Sequence, residues 1–476
     1  ITFAGIFVDG FGRLLEAVGT PEWLKVLLAD GIGGGITTVS TFIPPIFFLF
    51  LFLAMLEDSG YMARAAFVMD RVMRALGLPG KAFVPLIVGF GCNVPAIMAT
   101  RTMDKATDRI ITIMMAPFMS CGARMPVYVL FATAFFPTNG QNLVFGIYVI
   151  GIIAAIITGF LIKRVVLPGE VSAFVMEIPP YHIPTVKGVM MRTWDRLKAF
   201  LNRAGKVIVV ICAVLGFLNS WGTDGSFGNE DSEKSVLSEI GYTIAPVLSP
   251  MGVTQENWPA AVGVFTGIFA KEAVVGTLNS LYDQMARDKN AEAAGEGAAA
   301  PAEEEADEGW SLGAILSEAG GTIVDNLADL GSALTDPLGV AVDDLSDTAA
   351  AAESQEVTVT TIDMMQKLFG SQLAAFAYLM LVLLYMPCVA AIAAVYREAG
   401  AAWTLFLAAW TTVLGYSTAT IVYRVGTFAQ DPLYATVAIV ISLGLLASLL
   451  FFMRNYVKNN RGKGPKVIPI AVAQPS

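Results

Sequence analysis

Seven apolar stretches of roughly 20 residues or more, at about 32–56, 110–136, 143–164, 200–220, 372–395, 403–423 and 433–453, constrain this chain more than any other feature. Each is long enough to cross the hydrocarbon of a bilayer. Hydrocarbon offers backbone N–H and C=O groups no partner, so each stretch is expected to be a helix. Two further stretches, about 82–100 and 258–281, are as apolar but are broken by Gly, Pro or charge. With 55% hydrophobic and 15% charged residues among 476, and a mean hydropathy of +0.64, a soluble globule is excluded. The expected fold is an all-α polytopic helical bundle in a lipid bilayer, with about seven spans and two re-entrant, broken-helix segments. Nothing in it points to a nucleic-acid partner.

The net charge of −10 has a local origin. Residues 283–371 hold 19 of the 40 acidic residues and 3 of the 30 basic ones, so the rest of the chain is net positive. An Ala/Glu run at 291–308 reads as a partly disordered, solvated spacer rather than an acidic antenna for cations. Lys and Arg in short loops mark the cytoplasmic side. By that rule 57–81, 101–109, 163–206 and the tail from 454 are inside, while 221–257, with six acidic residues and Lys234, is outside. Counting spans places 283–371 and 424–432 outside and 396–402 inside. The segment at 82–100 then enters and leaves on the cytoplasmic face, and 258–281 on the opposite one. Two re-entrant segments of opposite sense predict an inverted repeat. Gly60-Tyr61 echoed by Gly241-Tyr242, Gly77 by Gly252, and Val84 with Gly89 by Val262 with Gly267 give it weak support.

The expected organisation is an outer or interfacial segment at 1–31, a first membrane half at 32–164, and a cytoplasmic loop at 165–199. A second half follows at 200–282, then the acidic loop at 283–371, C-terminal spans at 372–453 and a basic tail at 454–476. The chain opens at Ile1 in mid-pattern with neither initiator Met nor signal peptide, so a fragment lacking an upstream span is expected.

Four motifs interrupt the apolar stretches with groups that hydrocarbon excludes: GFGCNVP at 89–95, APFMSCGARMP at 116–126, FAKEAVVGT at 269–277 and YMPCV at 385–389. Polar groups at membrane depth are costly and face a cavity or pathway. In the first, Gly89, Gly91 and Pro95 predict a broken helix with exposed backbone polar groups. Cys92 and Asn93 there supply soft sulfur and hard oxygen, a set suited to a borderline divalent metal such as Fe2+. In the second, prolines kink the span and turn Ser120 and Cys121 inward. Met119 either fills core or lines the path. Arg124 either gates or forms a structural ion pair, with Glu57 or Asp58 as candidates. Cys388 follows Pro387, whose missing N–H leaves a carbonyl free. Lys271 and Glu272, adjacent and so not facing one another on a helix, have separate partners or lie at a break. Glu272 either pairs structurally or helps bind a cation. Glu57 and Asp58 are either a carboxylate mouth for cations or ordinary interfacial charges. Cys212, with no helix breaker beside it, reads as packing. The four cysteines include no CxxC pair, the single histidine, His182, lies in a polar loop, and no P-loop sequence occurs.

At these motifs the chain closely resembles the bacterial ferrous iron transporter B (FeoB) family. LEDSGYMARAAFVMDR (56–71), LPGKAFVPLIVGFGCNVPAIMATRT (78–102), TIMMAPFMSCGAR (112–124), AKEAVVGTLNSLY (270–282) and YMPC (385–388) carry the likeness. The resemblance implies Fe2+ uptake across the bacterial inner membrane, with 82–102 and 258–282 inside its two Gate elements and Cys92, Cys121 and Cys388 along the iron path. It also implies a cytosolic G domain using GTP and Mg2+, absent from these residues, and small cytosolic Fe-transport partner proteins. A homo-oligomer is compatible with it. The nearest rival is a Gate-type carrier for a nucleoside or other organic solute. A membrane thiol oxidoreductase and a non-transporting scaffold or sensor are the rivals from other classes.

Overall fold

The computed structural model describes residues 8, 10–17, 19–137, 139–168, 180–294, 321 and 357–459; among them the chain is helical, with a single isolated β-bridge. The expected spacer at 291–308 lies largely outside the described residues. Six helical stretches are long and apolar enough to cross a membrane, and Lys206–Ser220 is a shorter apolar helix. Helix α1 (Gly34–Asp58) continues a π-helical turn at Val26–Gly33. Then come α2 (Tyr61–Ala75), α3 (Phe83–Gly91), α4 (Asn93–Ala99), α5 (Ala106–Met115), α6 (Met125–Phe135) and α7 (Gly140–Leu161). The second half holds α8 (Val186–Phe200), α9 (Lys206–Ser220), α10 (Val236–Leu248), α11 (Trp258–Phe269), α12 (Ala273–Ala294), α13 (Val359–Phe369), α14 (Gln372–Leu384), α15 (Val389–Ala399), α16 (Ala401–Gly426) and α17 (Pro432–Asn459).

Polar contacts sort the connections onto two ends of the bundle. At one end Glu57 and Asp58 pair with Arg196 and Arg192 of α8, Lys163 donates to the Gly77 carbonyl, and Arg101 and Arg109 pair with Glu398. At the other, Arg424 donates to the Pro250 carbonyl, Gln366 and Gln372 to the carbonyls of Ala134 and Phe135, and Thr358 to Asp283. The first group joins the connections expected inside, the second those expected outside.

Both broken segments return to the end they leave from. Lys81 before α3 donates to Asp104 after α4 at 3.0 Å, pinning the feet of that hairpin at the first end. Tyr282 on α12 donates to Asn257 before α11 at 2.5 Å, pinning the other at the second end. Each hairpin precedes a broken span, α5–α6 and α14–α15, and then a continuous one, α7 and α16. The continuous helix meets its broken neighbour at a glycine both times. A Cβ on Gly151 would lie 2.7 Å from the Phe118 carbonyl oxygen, and one on Gly415 2.8 Å from the Tyr385 amide nitrogen. The second half therefore repeats the element order of the first from the opposite end, with the stretch 283–371 lying largely between its hairpin and its broken span.

One element departs from the charge-based expectation. The basic stretch at 57–81 is not a simple connection but holds helix α2, bent 106° from Gly80–Gly91. Asp70 makes the bend: its carboxylate accepts from Arg74 within α2 and from the Gly80 amide at 2.9 Å.

Candidate functional site

The four breaks foreseen from sequence form the interior of the bundle. Cys92 interrupts α3 and α4 with an extended backbone (φ −156°, ψ 132°), and Ala270 repeats that conformation after α11 (φ −142°, ψ 121°). Pro95 cannot donate to the turn before it, and Lys271 and Glu272 follow Ala270, so neither segment continues as one helix. In the α5–α6 span two 3-10 turns, Ala116–Phe118 and Gly122–Arg124, flank extended residues Met119 and Cys121. In the α14–α15 span the chain unwinds at 385–388 around Pro387, and α15 begins after Cys388, whose carbonyl accepts from Ala391 and Ile392. Cys388 thus lies not inside a long helix but at the start of a half-helix, as Cys92 does.

Cys92, Cys121 and Cys388 are free and half-buried, and interact electrostatically with one another; Cys92 and Cys388 do so with Glu272 as well. Asn93 is 5% exposed, and its Oδ1 has no hydrogen-bond partner. Gly89 faces both Met119 and Asn93, and Gly91 faces Leu49. Ser120 and Tyr128 share a hydrogen bond of 3.1 Å. Lys271, 2% exposed, donates to the Met386 carbonyl at 2.9 Å and sits 3.1 Å from the centre of the Tyr385 ring. That carbonyl belongs to the unwound stretch 385–388. Among the described residues no three His, Cys, Asp or Glu side chains form a ready-made metal cage. The arrangement is an open series of soft and hard donors with fixed charges between them. Such a series suits passage of an ion, because a pathway must release what it binds.

A cavity of about 790 Å³ lies at the first end. Val94, Pro95 and Ala390, within two or three residues of Cys92 or Cys388, line it together with the charged Glu57, Arg101, Arg397 and Glu398. Two expectations are corrected here. Arg124 does not pair with Glu57 or Asp58; it is buried at 1% exposure and donates to the Pro117 carbonyl at 3.1 Å. Glu57 and Asp58 are neither free cation ligands nor merely solvated, because α8 brings Arg196 and Arg192 to them. Cys212 packs on α9 against Gly35 of α1 and, like Cys92 and Cys388, interacts electrostatically with Glu272.

Sequence reasoning missed Tyr385, whose hydroxyl is buried without a partner, and the cluster of Arg101, Arg109 and Glu398. The ion cluster joins residues 289 and 297 positions apart. Its one signal was a row of charges at the ends of apolar stretches, which does not tell which charges meet.

Residues 39–135 and 201–402 match the family model described as Gate, nucleoside recognition. Residues 144–196 match that of the ferrous iron transport protein B C terminus. The chain is 44% identical over 434 residues to the Fe(2+) transporter FeoB of Salmonella typhi, covering 91% of this chain and 53% of that protein. It is 45% identical over 461 residues to the protein of that name from Legionella pneumophila strain Lens, covering 96% and 58%. The chain thus spans about half the length of the curated relatives it matches. No solved structure matches it.

Proposed function

Because this chain belongs to the ferrous iron transporter B family and corresponds to its membrane part, we propose that it carries Fe2+ across the bacterial inner membrane through the meeting point of its four breaks. The observation that carries the proposal is the mutual grouping of Cys92, Cys121 and Cys388, with the unpartnered Asn93 Oδ1 next to Cys92 and a cavity at one end lined by Val94, Pro95 and Ala390. Fe2+ is borderline in softness and suits a mixture of thiol and oxygen donors. Partial dehydration would be offset by these groups in turn, with Glu272, Ser120 and Met119 along the same route. The end carrying α8 is the cytoplasmic one by its Lys and Arg excess. There a G domain, in the same polypeptide or a separate one, would supply GTP hydrolysis with Mg2+, and small cytosolic Fe-transport proteins would dock. No residue of this chain is assigned a catalytic role. An organic-solute carrier is not favoured, since three thiols offer a nucleoside little hydrogen bonding.

The test is anaerobic Fe2+ uptake into proteoliposomes, with the G domain and GTP supplied, comparing the parent with Cys92→Ser, Cys121→Ser, Cys388→Ser and Cys212→Ser. Uptake is expected to fall in the first three and to persist in the fourth. Equal uptake in all four variants would remove the thiols from the path.

A further inference from the structure

Lys271 stands where a permeating cation would stand. Its ammonium is buried in the 270–272 break, its two close partners being the Met386 carbonyl at 2.9 Å and the face of Tyr385 at 3.1 Å. A backbone carbonyl outside helix and an aromatic face are a cation's ligands. No carboxylate lies within ion-pairing distance of Lys271 among the described residues; within electrostatic reach are a second positive charge, Arg124, buried in the other half, and the acidic Glu272, Cys121 and Cys388. Like charges repel strongly where water is scarce. Lysine suits this position because its ammonium is a compact point charge on a flexible stem, able to leave as a unit; a guanidinium fork would be held by its plane.

We infer that Lys271 is a tethered cation that occupies the ion position beside Cys388 and keeps the path shut until the α11–α12 hairpin withdraws it. The inference rests on the Fe2+ reading above and extends it to a residue that excludes the ion rather than binding it. In this state metal does not reach the Met386 carbonyl, since the ammonium already holds it. Withdrawal of Lys271 removes the charge and frees that oxygen in one movement.

The experiment compares the parent, Lys271→Gln, Lys271→Met and Lys271→Arg in a Cys212→Ser background, without G domain or nucleotide. Two quantities are read: Fe2+ influx into proteoliposomes under ascorbate, and the rate at which a membrane-impermeant maleimide alkylates Cys388. Loss of the charge is expected to raise both by about tenfold or more, a barrier change of about 1.4 kcal/mol. Lys271→Arg is expected to stay near the parent. If Gln and Met variants that elute as single species leave both quantities at or below the parent's, the inference is overturned. If those variants do not fold, Tyr385→Leu, which removes the ring and keeps the lysine, is read by the same alkylation. A rise supports the gate and an unchanged rate overturns it. Should Fe2+ fail to move in any sample even with G domain and GTP, while alkylation rises in Lys271→Gln, the iron reading falls and the cation gate stands.

Discussion

Asn93 separates a ligand from a structural residue more cleanly than any cysteine does. A buried acceptor without a partner costs about 1–3 kcal/mol, so its Oδ1 makes no contribution to folding. Asn93→Ala is therefore expected to leave the unfolding free energy within about 1 kcal/mol of the parent, the lost packing being offset by the removed polar atom. Fe2+ flux in the same sample is expected to drop by about tenfold, the value of one weak ligand near 1.4 kcal/mol. A structural role would give the opposite pattern, a lowered midpoint with flux retained. The break was legible here because Gly and Pro interrupt the apolar run around Cys92 and Asn93. Pairing was not. Arg124 demanded a partner, and the nearest acids in sequence were offered to it; the actual acceptor is the Pro117 carbonyl, freed by the same break that makes the site. Backbone acceptors carry no letter in a sequence, so a buried cation that uses one looks unpaired until the fold is known.

Two half-helices, α4 and α15, begin next to Cys92 and Cys388 and are tied at their far ends by Arg101 and Glu398, with Arg109 of α5 completing the cluster. The side chains of Glu398 and Arg109 are 2% and 7% exposed, whereas that of Arg101 is 38% exposed. Removing one member of a buried pair strands its partner's charge, at about 3–5 kcal/mol, while a solvated partner is worth about 1 kcal/mol or less. Glu398→Gln is thus expected to lower the melting midpoint in detergent strongly and Arg101→Gln only slightly. Equal losses would mean that Arg109 draws on water rather than Glu398. At this scale the breaks could be read in advance because Pro and Gly act locally. The helix at Tyr61–Ala75 could not, because its Arg-rich face makes it resemble a loop when apolar length is the criterion. Its place depends on Asp70 turning the chain at Gly80.

Among the described residues, a cavity lies at one end and aromatic side chains pack together toward the other. From the first end the cavity of about 790 Å³ reaches Met98 on α4 and Ala393 on α15. Toward the second end Phe131 stacks on Tyr378 at 5.1 Å, Phe369 packs edge-on to both at 5.4 Å, and Tyr378 donates to the Ala260 carbonyl at 3.0 Å. Tyr282 and Trp258 are buried on the α11–α12 hairpin, Trp258 stacking on Tyr242 at 5.2 Å. Transport from that side requires this aromatic layer to part, and α11–α12, the hairpin that carries Lys271, is the element whose feet are pinned there. In the resting protein Met98→Cys and Ala393→Cys are therefore expected to react with an impermeant maleimide applied to the first end and not to the second. Thr266→Cys on α11, at 3% exposure, is expected to be protected from both. Inverted vesicles and intact cells present the two ends in turn, with the parent's own thiols as baseline. Reaction of Met98→Cys from the outer face alone would reverse the sidedness drawn from charge. Reaction of Thr266→Cys from that face would mean the aromatic layer opens without Lys271 moving, and that the two barriers act independently rather than as opposite ends of one hairpin.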